Sequence, residues 1–192
     1  MTENKKNKNI LVGQYIVLFM ILSFGGWAVE TLFCSLLAGK WCDRGFLTLP
    51  FCTIYGFTIL GLYGLLGTPQ DGRTLLKNVS GKPMRFLLYF LITASVTTLA
   101  ELVTGWFFTK VCGVSLWDYS GYRFHYKGYI CLEFFLVWGT LFLIGMRFAF
   151  EPLKQAVAAL PRWALFWGSA ISCFFLMADW IVSYARIFFQ SI

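Results

Sequence analysis

The fold is decided by residues 10–29, which read ILVGQYIVLFMILSFGGWAV and carry no charged side chain. At about 1.5 Å per residue, a helix of about twenty such residues spans the ~30 Å hydrocarbon core of a bilayer. The preceding residues 1–9, MTENKKNKN, are polar and basic, and we predict that they form a disordered cytoplasmic tail. The apolar run is longer than that of a secretory signal peptide and no A-x-A cleavage site follows it, so we interpret it as a retained helix.

Four further apolar runs follow, and three of them contain a single acidic residue. They are Phe46–Gly67, Phe86–Phe108 with Glu101, Gly128–Met146 with Glu133, and Trp163–Ala185 with Asp179. We therefore predict an all-α polytopic membrane bundle of about five transmembrane helices. It forms one domain over residues 10–192, in which the fifth helix covers about residues 163–186.

The composition excludes a soluble globular domain. Hydrophobic residues make up 58% of the chain and charged residues 13%, whereas soluble domains carry about 25% charged residues. The net charge of +7 comes from cations that lie mainly between the apolar runs, which indicates orientation in the membrane and contact with lipid headgroups rather than nucleic-acid binding. A cytoplasmic N-terminus places ten of the 16 Lys and Arg residues inside, Arg73 among them, and six outside. The sequence therefore predicts a C-terminus outside the cell membrane.

The chain contains a weak internal repeat. Residues 45–56, GFLTLPFCTIYG, align without gaps with residues 128–139, GYICLEFFLVWG, and four of the twelve positions are identical. An acidic residue late in a helix precedes each block, Glu30 or Glu101, and a loop aspartate lies between, Asp43 or Asp118. This order predicts two parallel repeat units at about residues 10–67 and 84–150, an arrangement that transporters often use with a binding site at the repeat interface. Chance similarity between two Phe/Leu-rich helices is the alternative.

The ionisable residues predicted to lie in the outer half of the bilayer are the candidate site. Charged side chains within spanning helices cost about 2.5–3.5 kcal/mol on insertion scales, so they normally face a polar interior. We predict a substrate- or ion-binding site formed by residues near the outer ends of the helices and in the outer loops. The candidates are Glu30, Asp43, Arg44, Glu101, Asp118, Glu133, Asp179 and His125.

Each candidate also has a structural interpretation. Glu30 and Glu101 could instead pair with Arg44 and Arg123 or with loop backbone N–H groups, while Glu133 and Asp179 lie nearer helix ends and could reach water. His125 is more typical of a hydrogen-bonding loop residue than of a metal ligand, and no ligand spacing predicts a metal. The six cysteines form no CxxC pair, and we predict no cofactor. Cys42 and Cys112 lie near two loops predicted on the same side, which leaves a disulfide between them open.

Several spaced motifs resemble the bacterial family of ABC-transporter permeases of type IV. In the first half they are GWxxE at 26–30, DRGFL at 43–47, Pro50 and IYG at 54–56; in the second half they are ExxxG at 101–105, WDYS at 117–120, GxICL at 128–132 and WG at 138–139. The resemblance covers roughly residues 15–145. The chain departs from the family pattern at Asp43, where Asn is expected, and at Thr53, where Pro is expected.

The resemblance implies a transport component, and the residues leave other functions open. The chain has no Walker A motif, so a permease of this kind needs a separate ATPase subunit, expected at the inner loops 68–85 and 151–162. The acidic candidates favour a small polar or cationic solute. Alternatives are a membrane-embedded enzyme acting on a lipid-linked substrate and a non-catalytic scaffold or sensor, although no G-x-S-x-G or HExxH motif is present. Because five helices rarely enclose a pathway, a homodimer or a larger complex is expected.

Overall fold

The computed structural model describes residues 2–71 and 75–190, so Met1 and Arg73 lie outside the described residues. It contains six α-helices, one π-helical segment and a two-stranded antiparallel hairpin within those ranges. The elements are α1 Thr2–Ala38, α2 Thr53–Leu66, α3 Lys82–Lys110, β1 His125–Tyr126, β2 Ile130–Cys131, α4 Leu132–Ile144, the π-helical segment Gly145–Ala149, α5 Phe150–Ala158 and α6 Arg162–Gln190.

The all-α membrane prediction is confirmed. Four helical stretches are long and apolar enough to cross a membrane: Ile10–Ala38, Lys82–Lys110, Leu132–Ala158 and Arg162–Arg186. The third of these runs from α4 through the π-helical segment into α5. These stretches match four of the five predicted spans. Ile10–Ala38 and Leu132–Ala158 continue nine and twelve residues past the predicted ends, and the other two extend by one to four residues.

The second predicted span is shorter than expected. Helix α2 has 14 residues and begins at Thr53, whereas the uncharged run begins at Phe46. Proline disfavours the helical conformation of the residue before it, so Pro50 keeps the preceding residues out of the helix. The N–H groups of Thr48 and Leu49 bind the side chain of Asp179 instead of helix carbonyls.

The described part of the basic tail, residues 2–9, is helical in the structure. Helix α1 begins at Thr2 and continues without a break to Ala38. No proline or glycine occurs between Thr2 and Val12, so nothing in the tail interrupts the helix that the apolar run establishes. The helix ends where Gly39 adopts a left-handed φ of +64°, the usual conformation after a helix C-terminus.

The chain divides into two compact units whose boundaries differ from the predicted repeat units. The first contains residues up to Phe57 and from Leu153 onwards, and its framework is α1 packed against α6. Gly13 and Gly168 lie at this contact: a Cβ built on Gly13 would lie 3.6 Å from the Leu165 Cβ, and one built on Gly168 would lie 3.8 Å from Val17, both ordinary van der Waals distances. The loop 39–52 belongs to this unit.

The second unit covers Thr58–Pro152 and is built on α3 packed against α4. Its inner loop is fastened by side chains. Arg85 donates to the carbonyl of Gln70 at 3.1 Å, and Gln70 donates to the carbonyl of Arg147 at 2.6 Å within the π-helical segment. The segment between α3 and α4 contains the hairpin, in which His125 pairs with Cys131 and Tyr126 with Ile130.

One glycine in each predicted repeat, Gly56 or Gly139, lies at a close contact between two helices. A Cβ built on Gly56 would clash with the Ser23 hydroxyl and lie 2.7 Å from the Phe19 ring. A Cβ built on Gly139 would lie 2.7 Å from the Ala94 Cβ and 2.8 Å from the Phe90 ring. Both glycines therefore let two helices of their own unit approach closely.

Candidate functional site

Glu30 is the centre of a polar cluster in the first unit. Its Oε1 accepts hydrogen bonds from Nε and Nη2 of Arg44, both at 3.1 Å, and its Oε2 accepts one from the Tyr55 hydroxyl at 3.1 Å. The side chains of Arg44 and Glu30 are only 18% and 14% exposed. The predicted alternative in which Arg44 pairs with Glu30 is therefore the arrangement that the structure contains.

Arg44 is held through its backbone as well. Its N–H donates to the hydroxyl of Thr31, the residue after Glu30 in α1, at 3.1 Å. The Cys52 thiol lies 3.8 Å from Glu30 Oε2 and 3.7 Å from the Arg44 carbonyl oxygen. Both the guanidinium and the backbone N–H of Arg44 are therefore held by side chains of α1.

Asp43 fastens the same loop from its exposed side. Its Oδ1 accepts a hydrogen bond of 2.8 Å from the indole N–H of Trp27, which lies one turn before Glu30. The contact is exposed, and it involves the residue at which the chain departs from the resembled family's pattern.

Asp179 has a role that the sequence did not predict. Its place near a helix end predicts that it could reach water, but the residue is only 7% exposed. Its two oxygens accept the backbone N–H groups of Thr48, at 3.2 Å, and Leu49, at 2.8 Å, and Ser183 contributes a longer contact of 3.5 Å. A non-helical segment at membrane depth requires satisfied backbone groups, and this carboxylate satisfies two of them.

The second unit contains the other four candidates. Glu101 accepts a hydrogen bond of 3.2 Å from the Tyr119 hydroxyl, and the ring of Tyr119 stacks on Phe134 with centroids 4.6 Å apart. Arg123 is the predicted alternative partner of Glu101. Its guanidinium carbon lies 5.5 Å from the ring centroid of Phe124. Glu133 is the second residue of α4, where the helix dipole favours an acidic side chain.

Asp118 and His125 organise the segment between α3 and α4. Asp118 accepts from the Ser120 N–H at 2.8 Å and from the Ser120 hydroxyl at 2.9 Å, and the backbone bond is the main reason that the pKa of Asp118 lies below its ordinary value. His125 Nδ1 accepts the Gly128 N–H at 3.2 Å, as a hydrogen-bonding loop residue does. Within residues 2–71 and 75–190, no group of three or more His, Cys, Asp or Glu side chains is arranged to hold a metal ion.

Comparison with known families now places the chain. A family model described as "Putative ABC-transporter type IV" matches residues 17–184. The chain belongs to this family. No curated protein and no solved structure matches it. The type IV ABC-transporter match includes α2, α3, α4 and all eight candidate residues, and it extends the resemblance seen in the motifs through most of α6.

The family motifs mark several residues whose partners we did not predict. Tyr55 belongs to the IYG motif and binds Glu30, and Tyr119 belongs to the WDYS motif and binds Glu101. Both could have been suspected, because a tyrosine hydroxyl in an apolar setting usually needs a hydrogen-bond partner. The Thr31 and Ser183 contacts had no sequence signal, since single hydroxyl residues in helices are common.

The structure contains no disulfide between Cys42 and Cys112, the pairing that the sequence left open. Cys42 and Cys112 are both free thiols. Cys42 donates its backbone N–H to the Ser35 hydroxyl at 2.9 Å, which adds a further attachment of the loop 39–52 to α1.

Proposed function

We propose that the chain is the membrane permease component of a transport system and handles a small polar or cationic solute at the cluster around Glu30. The observation that carries this proposal is the pairing of Glu30, in the apolar part of α1, with Arg44 of the loop 39–52. A carboxylate at that depth is costly unless it serves a polar site, and membership of the type IV ABC-transporter family supports transport as the purpose of that site.

The geometry supports exchange of one cation for another. Arg44 donates two N–H groups to a single oxygen of Glu30, while Tyr55 occupies the second oxygen. A cationic solute would compete with the guanidinium for Oε1, and the loop 39–52 that carries Arg44 would move with that exchange. The hydrogen bonds of Asp43 with Trp27 and of Asp179 with the backbone of Thr48 and Leu49 would hold the loop in its original position again after the solute leaves.

The internal repeat is part of this proposal. Gly56 contacts Ser23 and Phe19, which lie seven and eleven positions before Glu30. Gly139 contacts Ala94 and Phe90, which lie the same seven and eleven positions before Glu101. Equivalent glycines therefore pack against equivalent positions of the preceding helix, which supports two related units that each hold an acid. A shared pocket for Glu30 and Glu101 remains a prediction.

A separate ATPase subunit and a homodimer complete the proposed assembly. The family is described as transporter-related, and this sequence carries no Walker A motif. The ATPase would bind the inner loops 68–85 and 151–162, with the N-terminus in the cytoplasm and the C-terminus outside.

The test is a thermal-shift screen on the purified full-length chain from pH 5 to 8. The probes are potassium, magnesium, choline and lysine, with glucose as a neutral polar solute. We expect at least one cation to raise the melting temperature of the wild type and of Asp71→Asn, an exposed control acid. Glu30→Gln should lose that shift, because the amide no longer attracts a cation. Arg44→Gln should increase the apparent affinity, because the competing guanidinium is gone.

Two results would count against the proposal. If Glu30→Gln kept the full cation-induced shift, the solute site would lie elsewhere and the Glu30–Arg44 pair would be structural. If Arg44→Gln lost the shift while eluting as a folded protein in gel filtration, Arg44 would be a solute-binding group rather than the competitor.

A further inference from the structure

The outer loop of the second unit exposes a short aromatic and basic segment. All five side chains of Arg123–Lys127 are exposed, and the exposed fractions of Phe124 and Tyr126 are 60% and 54%. Two large aromatic side chains standing free on a polar loop indicate a surface that contacts something apolar or interfacial.

The residue types alternate along this segment. Aromatic residues occupy positions 124 and 126, and basic or titratable residues occupy 123, 125 and 127. The aromatic and basic side chains therefore lie next to one another along the chain. The cations also lie over the rings, with Arg123 Cζ 5.5 Å from the Phe124 centroid and Lys127 Nζ 5.5 Å from the Tyr126 centroid.

The segment is fixed at the end of a spanning helix. Strand β2 leads directly into α4, and the Leu132 N–H, at the first residue of α4, donates to the Phe124 carbonyl at 3.0 Å. Leu132 also begins one of the helical stretches that can cross the membrane. The backbone of Phe124 therefore lies beside the point at which the chain enters the apolar layer.

The hairpin turn holds this position rigidly. Lys127 adopts a left-handed φ of +51°, which is uncommon for a residue with a side chain, and Gly128 follows at +76°. The Gly128 N–H binds His125 and its carbonyl accepts the Tyr119 N–H at 2.9 Å. A fixed turn presents the aromatic and basic side chains together instead of leaving them to a flexible loop.

We infer that the segment Arg123–Lys127 anchors the protein to the membrane surface by binding anionic phospholipid headgroups. Phe124 and Tyr126 lie at headgroup level, where amphipathic aromatic rings are favoured. Arg123 and Lys127 bind lipid phosphates, and attraction of cations to an anionic leaflet adds to this contact. The inference does not depend on the proposed solute site.

The test compares nanodiscs of phosphatidylcholine with nanodiscs in which phosphatidylglycerol replaces part of it. We expect the wild type to melt at a higher temperature in the anionic discs and to retain phosphatidylglycerol in native mass spectrometry. The double variant Arg123→Gln/Lys127→Gln should lose most of both effects. The charge-matched control Lys77→Gln/Lys110→Gln, in which both lysines are exposed, should keep most of them. Phe124→Ser/Tyr126→Ser should weaken lipid retention in both kinds of disc.

Three outcomes would overturn the inference. One is equal loss of the lipid effect in the control double variant, which would mean that net charge alone is responsible. Another is full stabilisation of phosphatidylcholine discs by added inorganic phosphate, which would assign the cations to a free anion. The third is a change from dimer to monomer in Arg123→Gln/Lys127→Gln, which would make the segment a protein interface.

Discussion

At the scale of single residues, the glycines separate into those that allow helices to meet and those that do not. In α2, a Cβ on Gly56 would clash with Ser23, whereas a Cβ on Gly61 or Gly64 would meet nothing within 4 Å. In α1, a Cβ on Gly26 would clash with the Tyr55 ring, whereas one on its neighbour Gly25 would meet nothing. The partner helix therefore decides which of these glycines lies at a close contact.

We therefore expect Gly56→Ala to destabilise the protein and Gly61→Ala to leave it unchanged or slightly more stable. Overpacking a close contact costs typically about 1–3 kcal/mol, while alanine in an open helical position favours the helix. The measurement is the thermal unfolding midpoint in detergent, with Gly26→Ala and Gly25→Ala as a second matched pair. Equal midpoints for Gly56→Ala and Gly61→Ala would show that the contact with Ser23 is not tight.

How much of the polar cluster was predictable also differs from residue to residue. Glu30 and Arg44 were both candidates, because a carboxylate within an apolar run and a cation in the next loop can be recognised in the sequence. Their pairing was one of the alternatives that the sequence left open. The attachment of Asp179 to Thr48 and Leu49 was not predictable, since it joins residues about 130 positions apart through backbone N–H groups that have no sequence signature. The hairpin was not predictable either, because strands of two residues are too short to show the alternation of polar and apolar residues that predicts a strand.

At the scale of elements, the loop 39–52 behaves as a strap attached at several points to helices of its own unit. Trp27 and Thr31 hold it to α1, together with the charge of Glu30, and Asp179 holds it to α6. The attachments on α1 bind the loop early in its course, and the attachment on α6 binds it just before Pro50. The position of Arg44 is therefore set by two helices rather than by the loop's own conformation.

Asp179→Asn should release the end of this strap. An amide offers one acceptor oxygen in place of two, so one of the Thr48 and Leu49 N–H groups loses its partner, at a cost of about 1–3 kcal/mol. Hydrogen exchange of these two amides should accelerate, while Ser183→Ala, which removes only the 3.5 Å contact, should leave them protected. Unchanged protection in Asp179→Asn would mean that other groups hold the segment.

The outer loop of the second unit should respond to acid. The Ser120 N–H holds the pKa of Asp118 below its ordinary value of 3.8, so the ionised form is the one that stabilises the folded loop. A depressed pKa gives a contribution that is complete above the ordinary value and is lost as the pH falls through the folded value. The protection factor of the Ser120 amide should therefore decrease below pH 3.8. In Asp118→Asn the same amide should show no such pH dependence, and a parallel decrease there would assign the effect to another group.

At the scale of the whole molecule, the number of membrane crossings depends on α2. Its 14 residues extend about 21 Å, less than the ~30 Å hydrocarbon core, whereas four other stretches are long enough by themselves. Residues 46–52 can supply the missing length only if their backbone groups are satisfied. Asp179 binds the Thr48 and Leu49 N–H groups, Phe51 donates to the Leu49 carbonyl and Cys52 to the Ser23 carbonyl, so four N–H groups of the segment have partners.

The chain should therefore cross the membrane five times, with its N-terminus in the cytoplasm and its C-terminus outside. Alkaline phosphatase fused after the last residue should be active in cells, because it folds only outside, and green fluorescent protein at the same point should be dark. Fusions after Gln70 lie in the loop that follows α2, which the five-crossing topology places in the cytoplasm. There green fluorescent protein should be fluorescent and alkaline phosphatase inactive. A fluorescent C-terminal fusion would mean that α2 does not cross. In that case residues 46–52 and α2 would form a re-entrant hairpin held by Asp179. This hairpin would enter and leave the membrane on one side, and the Glu30 cluster would lie beside it.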